Sequence, residues 1–356
     1  MKILVSALEH SANVHLKSLK KELDADTEFI GIFDKNLGSP IVDLQSLAIM
    51  GIVDALKKLR FFFKLADEMV ELAQEADKVL LIDSSGFNLP LAKKLKKKYP
   101  NKEIIYYILP QAWAWKKKRI PVLAKTIDKL ASILPFEPAY YPDDANIEYV
   151  GHPLLDQITT FKTSLNKEIQ NVVFMPGSRK SEIRRLMGTF LEVIDALRID
   201  ATFIIPKHFS EEDIKELYGD LSKFKISNDA HKSLYEADFA FICSGTATLE
   251  AALIGTPFIL SYKANAFDYF IGSRLVKLEY IGLANIMLSK HKNIQLHPEF
   301  LQDEVTTKNL VKAFNTYNRE KFLENSTLLR EYLKNGSSHR VAEIIKNRKV
   351  STRFFN

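Results

Sequence analysis

Residues 239–260 read FAFICSGTATLEAALIGTPFIL. Five apolar residues, Phe239 to Cys243, have the length and unbroken hydrophobicity of a parallel strand buried on both faces. Ser244-Gly245-Thr246 breaks the run. Helical spacing follows through Leu249, Ala252 and Leu253, and Gly255-Thr256-Pro257 stops it before a second strand opens at Phe258. The window is long enough to suggest a membrane span, but Glu250, the interior turn signals and Pro257 favour strand, helix, strand. Such a strand–turn–helix leaves backbone N–H groups and a positive dipole end at Ser244, Gly245, Thr246 and Ala247, which suits an anion. Glu250, about one turn into the helix, is placed to accept hydrogen bonds from a sugar hydroxyl beside that anion. Diphosphate on the helix and ribose on the carboxylate would make a nucleotide-sugar site. The same residues also fit a plain βα turn and a solvated glutamate, and this stretch alone leaves both readings open.

The pattern repeats outward. Strand-like runs at 3–7, 29–33, 78–82, 103–108, 130–134, 172–175 and 201–205 alternate with helical segments, which predicts parallel α/β sheets. Polar residues collect after the strands, where open α/β sheets bind ligands: Glu9 to His15, Asp83 to Asn88, Pro176 to Glu182, and Ser244 to Glu250. In the third cluster, Arg179 follows a Pro-Gly-Ser turn and has the bidentate fork that grips a diphosphate. A chain of 356 residues fits two such domains. The expected boundaries are 1–165, 166–330 and a helical tail over 331–356 that packs on the first domain or on a partner subunit.

Hydrophobic residues make up 46% of the chain and charged residues 26%, the balance of a soluble globular protein. The single cysteine, Cys243, excludes intramolecular disulfides and fits a reducing compartment. The N-terminus reads as a first strand rather than a leader, so the expected location is the cytoplasm. The net charge of +6 is clustered at Lys93–Lys98 and Lys116–Arg119. Such clusters suit nucleic acid, anionic lipid or phosphorylated substrates, and equally a solvated helix face. A non-catalytic nucleic-acid-binding protein is therefore one alternative reading. No Asp-X-Asp or His/Cys cluster sits at a strand end, so no metal is expected and no cofactor.

The stretches IDSSGFN (82–88), QAWAWKKKRI (111–120), LPFEPAYY (134–141), VGHPLLD (150–156), MPGSRKSEI (175–183), SGTATLEAALIGTP (244–257), RLVKLEYIGLANIML (274–288) and PEFLQDE (298–304) together resemble the lipid-A-disaccharide synthase family across nearly the whole chain. The resemblance implies a GT-B glycosyltransferase of two Rossmann-like doubly wound domains with an inter-domain cleft. It implies transfer of a diacylglucosamine unit from UDP-2,3-diacylglucosamine to the 6′-hydroxyl of 2,3-diacylglucosamine 1-phosphate (lipid X), giving a β-1,6 disaccharide phosphate and UDP. It also implies a homodimer at the cytoplasmic leaflet of the inner membrane, with no nucleic acid. Another UDP-sugar enzyme of the same architecture, with a different acceptor or epimerising the sugar, is the nearest alternative. Two positions depart from the family. The second acid of its IDxPDFN loop is Gly86 here, and the Asp of its GEASGD-like motif is Asn13.

An inverting transfer needs a base at the attacking hydroxyl and a cradle for the departing UDP. Asp83, at a strand end, is the candidate base, with Glu9 and His15 as alternatives. The expected donor set is Ser178, Arg179, Glu182, Ser244, Gly245, Thr246 and Glu250, joined through the family-like stretches by Asn285 and Gln302. Trp113 and Trp115 are candidates for the acceptor site or for packing. The segment 49–66 is too short and too charged to span a bilayer. Helical spacing there puts Ile52, Leu56, Leu59 and Phe63 on a core stripe and leaves Phe61 or Phe62 exposed beside cations, as a membrane-docking surface.

Overall fold

The computed structural model describes residues 1–42, 55–264 and 279–347. The chain forms two compact units. One comprises residues 1–156 together with the C-terminal segment from 333, and the other comprises residues 157–332.

The first unit alternates β1 (Lys2–Ser6), α1 (His10–Glu22), β2 (Glu28–Ile32), α2 (Ala55–Leu72), β3 (Lys78–Ile82), α3 (Ser85–Lys98) and β4 (Glu103–Tyr107). Two short helices follow, α4 (Ala112–Trp115) and α5 (Ile120–Thr126), then β5 (Lys129–Ser132), β6 (Ile147–Tyr149) and α6 (Pro153–Gln157). Its six strands are parallel in the order β2-β1-β3-β4-β5-β6. The order reverses between β1 and β3, so the loops after these two strands flank the switch point, where such sheets bind ligands.

The second unit contains β7 (Asn171–Met175), α7 (Lys180–Leu197), β8 (Asp200–Ile204), α8 (Glu211–Tyr218), β9 (Lys225–Ser227), α9 (Ala230–Glu236), β10 (Phe239–Cys243), α10 (Thr246–Ile254) and β11 (Phe258–Tyr262). It closes with α11 (Leu283–Lys292), β12 (Glu299–Leu301), α12 (Thr307–Asn315) and α13 (Arg319–Leu333). The strand order is β12-β11-β10-β7-β8-β9, again all parallel. Its switch point lies between β7 and β10. Every residue of β10 is buried, as a central strand covered by helices on both faces requires. Phe174 and Phe241 stack at 5.0 Å on neighbouring strands.

The chain then returns to the first unit as α14 (Ser337–Ile345). Val341, Ala342 and Ile345 enter the core formed by α1, β1 and β3. The helix is fastened at its N-terminus. Asp156 accepts hydrogen bonds from the amides of Gly336 (2.6 Å), Ser337 (3.3 Å) and Ser338 (2.8 Å), which places a carboxylate on the positive end of the helix. Gly151 adopts φ +88°, and a Cβ there would meet the buried Arg340 guanidinium at 2.8 Å. That guanidinium in turn donates to the carbonyls of Val150 and Asn335, both at 2.7 Å.

Candidate active site

The first switch point joins two of the expected residues. Ser84 donates its hydroxyl to Glu9 at 3.0 Å, which ties the loop after β3 to the start of α1. Asp83 and Ser84 both have left-handed backbones, φ +51° and +42°, an arrangement that costs about 1–2 kcal/mol per non-glycine residue. Buried partners hold the turn. The Tyr106 hydroxyl donates to the Asp83 carbonyl at 2.6 Å. The buried Asn88 amide donates to the carbonyls of Ile82 (3.1 Å) and Asp83 (2.9 Å) while accepting from Ser6 (2.6 Å). Burial raises the Asp83 pKa above the ordinary carboxylate value, the Glu9 charge raises it further, and a hydrogen bond from the Ser84 amide partly offsets both. A carboxylate of raised basicity at a strand end suits proton abstraction from a hydroxyl.

The two positions that depart from the family have distinct physical settings. Asn13 is buried, and its amide donates to the carbonyls of Ala7 (2.7 Å) and Glu9 (2.8 Å) while its oxygen accepts from the Asp34 amide (2.7 Å). It braces the Glu9 loop with two donors that an aspartate lacks. Gly86 is exposed, and a Cβ there would meet nothing within 4 Å.

His15 belongs to a different group. It is half-buried on α1 with its ring edge-on to Tyr107 at 6.4 Å. Burial lowers its pKa to about 4, against an opposing pull from Asp156. His152 is buried beside it, lowered to about 3 by burial and by His15. The charges and rings that act on it are Asp156, His152 and Tyr107.

At the second switch point, the loop after β7 is shaped by Glu182. This buried carboxylate accepts from the amides of Ser178 (3.1 Å) and Arg179 (3.2 Å), and its other oxygen pairs with the Arg179 guanidinium at 2.9 Å. Gly177, at φ +131°, leaves the space that Glu182 occupies. The Glu182 oxygens are therefore spent on the loop, which gives this residue a positioning part. The Arg179 side chain stays 78% exposed. On the neighbouring strand β10, α10 opens at Gly245 with no side-chain cap. Gly245 and Thr246 are exposed and Ser244 is half-buried, so the first amides of α10 face solvent, the condition for anion binding there.

Glu250 projects from the same helix. Its pKa is raised chiefly by burial, and His231 lowers it in opposition. His231, on α9, stands 3.5 Å from Glu250 through Nδ1 and 3.2 Å from the Thr160 hydroxyl through Nε2. The sequence reading missed this histidine because nothing in its local pattern marks a partner from another helix. Asn285 is fully buried. Its amide donates to the His297 carbonyl (2.9 Å) and to Glu299 (2.7 Å), and its oxygen accepts from the amides of Leu296 (2.7 Å) and His297 (3.1 Å). All four of its hydrogen-bonding positions are used within the protein, so Asn285 positions this turn and has no capacity left for a nucleotide. Glu299 also accepts from the Ile281 and Gly282 amides ahead of α11. Gln302 has φ +51°, and its side-chain amide pairs with the backbone of Ala264, donating at 3.3 Å and accepting at 3.1 Å.

The aromatic expectations divide. Trp113 is buried against Phe136 (4.9 Å) and Tyr140 (6.1 Å), so it packs. The Trp115 side chain and those of Leu56 and Leu59, with residues 43–54 including Ile52, lie outside the described residues. The phase expected for α2 is corrected by the structure. Phe61 and Phe62 lie half-buried against the core, with Phe62 5.8 Å from Phe87, whereas Phe63 is 53% exposed. The buried stripe runs through Leu65, Ala66, Met69, Val70 and Ala73, and one turn earlier that stripe is Phe61 and Phe62, not Phe63. Three lysines of the α3 cluster are paired: Lys94 with Asp67 (2.5 Å), Lys98 with Glu71 (2.5 Å) and Lys96 with Asp128 (2.7 Å). Lys94 also lies 5.8 Å from the Phe63 ring centre. Among the described residues, no group of three or more His, Cys, Asp or Glu is placed to hold a metal ion, and no helix is long and apolar enough to cross a membrane.

A family model described as lipid-A-disaccharide synthetase matches residues 3–349. The chain belongs to this family. It is 50% identical to a lipid-A-disaccharide synthase of Helicobacter pylori strain J99, over 96% of this chain and 97% of the relative. It is 45% identical to one of Campylobacter jejuni strain RM1221, over 96% and 98%. Among solved structures, a UDP-GlcNAc 2-epimerase from Neisseria meningitidis bound to UDP-GlcNAc superposes with a TM-score of 0.64 at 10% identity, covering 98% of this chain and 100% of the other. MurG of Acinetobacter baumannii gives 0.59 at 14% identity, over 97% and 99%. These similarities show the shared GT-B fold, and membership of the lipid-A-disaccharide synthetase family makes this chain a glycosyltransferase.

Proposed function

We propose that this chain condenses UDP-2,3-diacylglucosamine with 2,3-diacylglucosamine 1-phosphate, forming the β-1,6-linked disaccharide 1-phosphate and UDP. The observation that carries the reading is the second switch point, where the uncapped N-terminus of α10 follows β10 and the exposed Arg179 opens the helix after the adjacent strand β7. Fixed amide dipoles and a guanidinium stabilise the charge that develops on a leaving diphosphate, which is commonly the largest catalytic contribution. Glu250 accepts from the ribose hydroxyls. In the first unit, Asp83 takes the proton of the attacking 6′-hydroxyl, and its raised basicity supports that part. The acceptor enters from the bilayer, with α2 touching the membrane through Phe63 beside Lys64, which suits an anionic interface. The homodimer rests on family resemblance alone.

The test is a product assay with both acylated substrates, together with calorimetry of UDP binding. Arg179→Ala and Glu250→Ala should each weaken UDP, with about 1.5–3 kcal/mol lost where a charged hydrogen bond is removed. Unchanged UDP affinity in both variants would remove the donor site. A purified enzyme that epimerises the sugar and forms no disaccharide would reassign the reaction.

A further inference from the structure

The Pro135-Phe136-Glu137 turn after β5 contains a carboxyl group that neither switch point uses. Glu137 is 1% exposed. One of its oxygens, Oε2, lies 2.6 Å from the Ser132 hydroxyl, and Oε1 has no partner among the described residues. The same Ser132 hydroxyl lies 3.1 Å from the Leu134 carbonyl and accepts from the Leu134 amide at 3.2 Å. A hydroxyl has one proton to give, and here two buried oxygens lie within its reach. If Glu137 is a carboxylate, Ser132 is its one side-chain donor among the described residues, the Leu134 carbonyl is still met by the Glu137 N–H at 3.1 Å, and a negative charge sits buried with Oε1 unpartnered. If Glu137 is a carboxylic acid, its O–H donates to Ser132, Ser132 donates to Leu134, and Leu134 N–H closes the ring. Each group is then satisfied but Oε1, a neutral carbonyl oxygen that tolerates burial far better than half a charge.

We propose that Glu137 is held as a neutral carboxylic acid that donates to Ser132, and that it thereby positions the Pro135-Phe136-Glu137 turn. The groups facing it are Ser132 from β5 and Tyr141 from its own turn. Burial drives its pKa up to about 8, and Ser132 opposes. Tyr141, whose buried hydroxyl has no partner among the described residues, feels Glu137 electrostatically, and Tyr106 feels both Tyr141 and Asp83. Tyr106 is the residue that holds the Asp83 carbonyl. Between Glu137 and the left-handed turn at Asp83 the coupling is electrostatic, through Tyr141 and Tyr106, and only its last link is a hydrogen bond. Glu137 touches no substrate in this scheme, so it acts by positioning.

The inference rests on the turn's own geometry and stands or falls apart from the donor site. Glu137→Gln offers an N–H to Ser132 in place of the acid O–H, so it mimics the protonated form at every pH. A group with a raised folded-state pKa loses its contribution as pH rises. Relative to Glu137→Gln, the wild-type unfolding equilibrium should worsen about tenfold per pH unit between about pH 4.5 and 8, then level off. The wild-type kcat should also fall above about pH 8 while that of Glu137→Gln holds, as the turn loses its proton. Infrared difference spectra of wild type against Glu137→Gln at neutral pH should show the carbonyl band of a protonated acid. Parallel stability curves for the two proteins, or a carboxylate band at neutral pH, would overturn the proposal. The spectrum reads the proton directly, so it decides even where the variant is poorly folded.

Discussion

The Glu182 carboxylate fills the space that a Cβ on Gly177 would need, with its Cβ 2.6 Å and its Oε2 2.7 Å from that position. The left-handed glycine and the buried acid therefore form one device, which turns the amides of Ser178 and Arg179 inward and leaves the guanidinium facing out. Gly177→Ala must displace Glu182 and strain the backbone, at a cost of about 1–3 kcal/mol. We expect a lower urea midpoint and weaker UDP binding. A variant that matches wild type in both would show that the loop re-forms without this fit.

Burial is the main source of the raised basicity of Asp83, and Glu9 adds to it. The Glu9 charge raises the Asp83 pKa, and the base must be ionised, so activity falls as pH drops through that pKa. Glu9→Gln removes the charge and keeps an acceptor for Ser84. The acidic limb of kcat/KM should then shift to lower pH. A limb that stays where it is would assign it to another group.

Asp83→Asn should lower kcat by about 100-fold or more while leaving UDP affinity intact. The open space at Gly86 allows a sharper experiment. Gly86→Asp adds an acid where the family carries one, and nothing lies in its way. If the two positions are alternative bases, Asp83→Asn combined with Gly86→Asp should recover part of the lost rate. No recovery, in a folded double variant, would confine the role to Asp83 or place the base elsewhere.

Phe63 and Phe62 should behave oppositely. Phe63→Ser replaces an exposed ring, so stability should change by less than about 0.5 kcal/mol, while co-sedimentation with anionic liposomes falls. Phe62→Ser removes a ring packed on Phe87 and should cost about 2 kcal/mol or more. Undiminished liposome binding by Phe63→Ser would move the docking surface off this helix.

His15 has its pKa lowered to about 4 by burial, so the unfolded chain binds its proton first as the solution is acidified. The stability it confers is complete above about pH 6.5 and is lost as pH falls toward 4, at up to about 1.4 kcal/mol per pH unit. His15→Gln should flatten the acid side of the stability curve in denaturant titrations. A slope identical to wild type would mean that His15 titrates alike in the folded and unfolded chain.

The strands were readable because parallel strands buried on both faces are unbroken apolar runs. The runs at 78–82, 172–175 and 239–243 needed no further context, and the site loops that follow them were readable for the same reason. Partners from other helices were not. His231 and Glu250 are brought together by the packing of α9 on α10, a relation without a local signature. Asn285 sits in a stretch that resembles the family's nucleotide-binding region, yet its burial turns its amide inward. The α2 phase was misjudged because the stripe was counted from its N-terminal end. The half that rests on the sheet, from Leu65 onward, sets the rotation.

The Asp156 fastening has a consequence for the order in which the protein is made. The second unit is one continuous stretch, complete once residue 332 has left the ribosome. The first unit keeps part of its core in α14, so Val341, Ala342 and Ile345 arrive only after the whole second unit has been made. Domains generally fold as they emerge, N-terminal first. Here the earlier-made half must wait, with the face of α1 that α14 will cover open to solvent, until synthesis of the other half is over. A chain that stops short of α14 would release a finished second unit joined to an unfinished first.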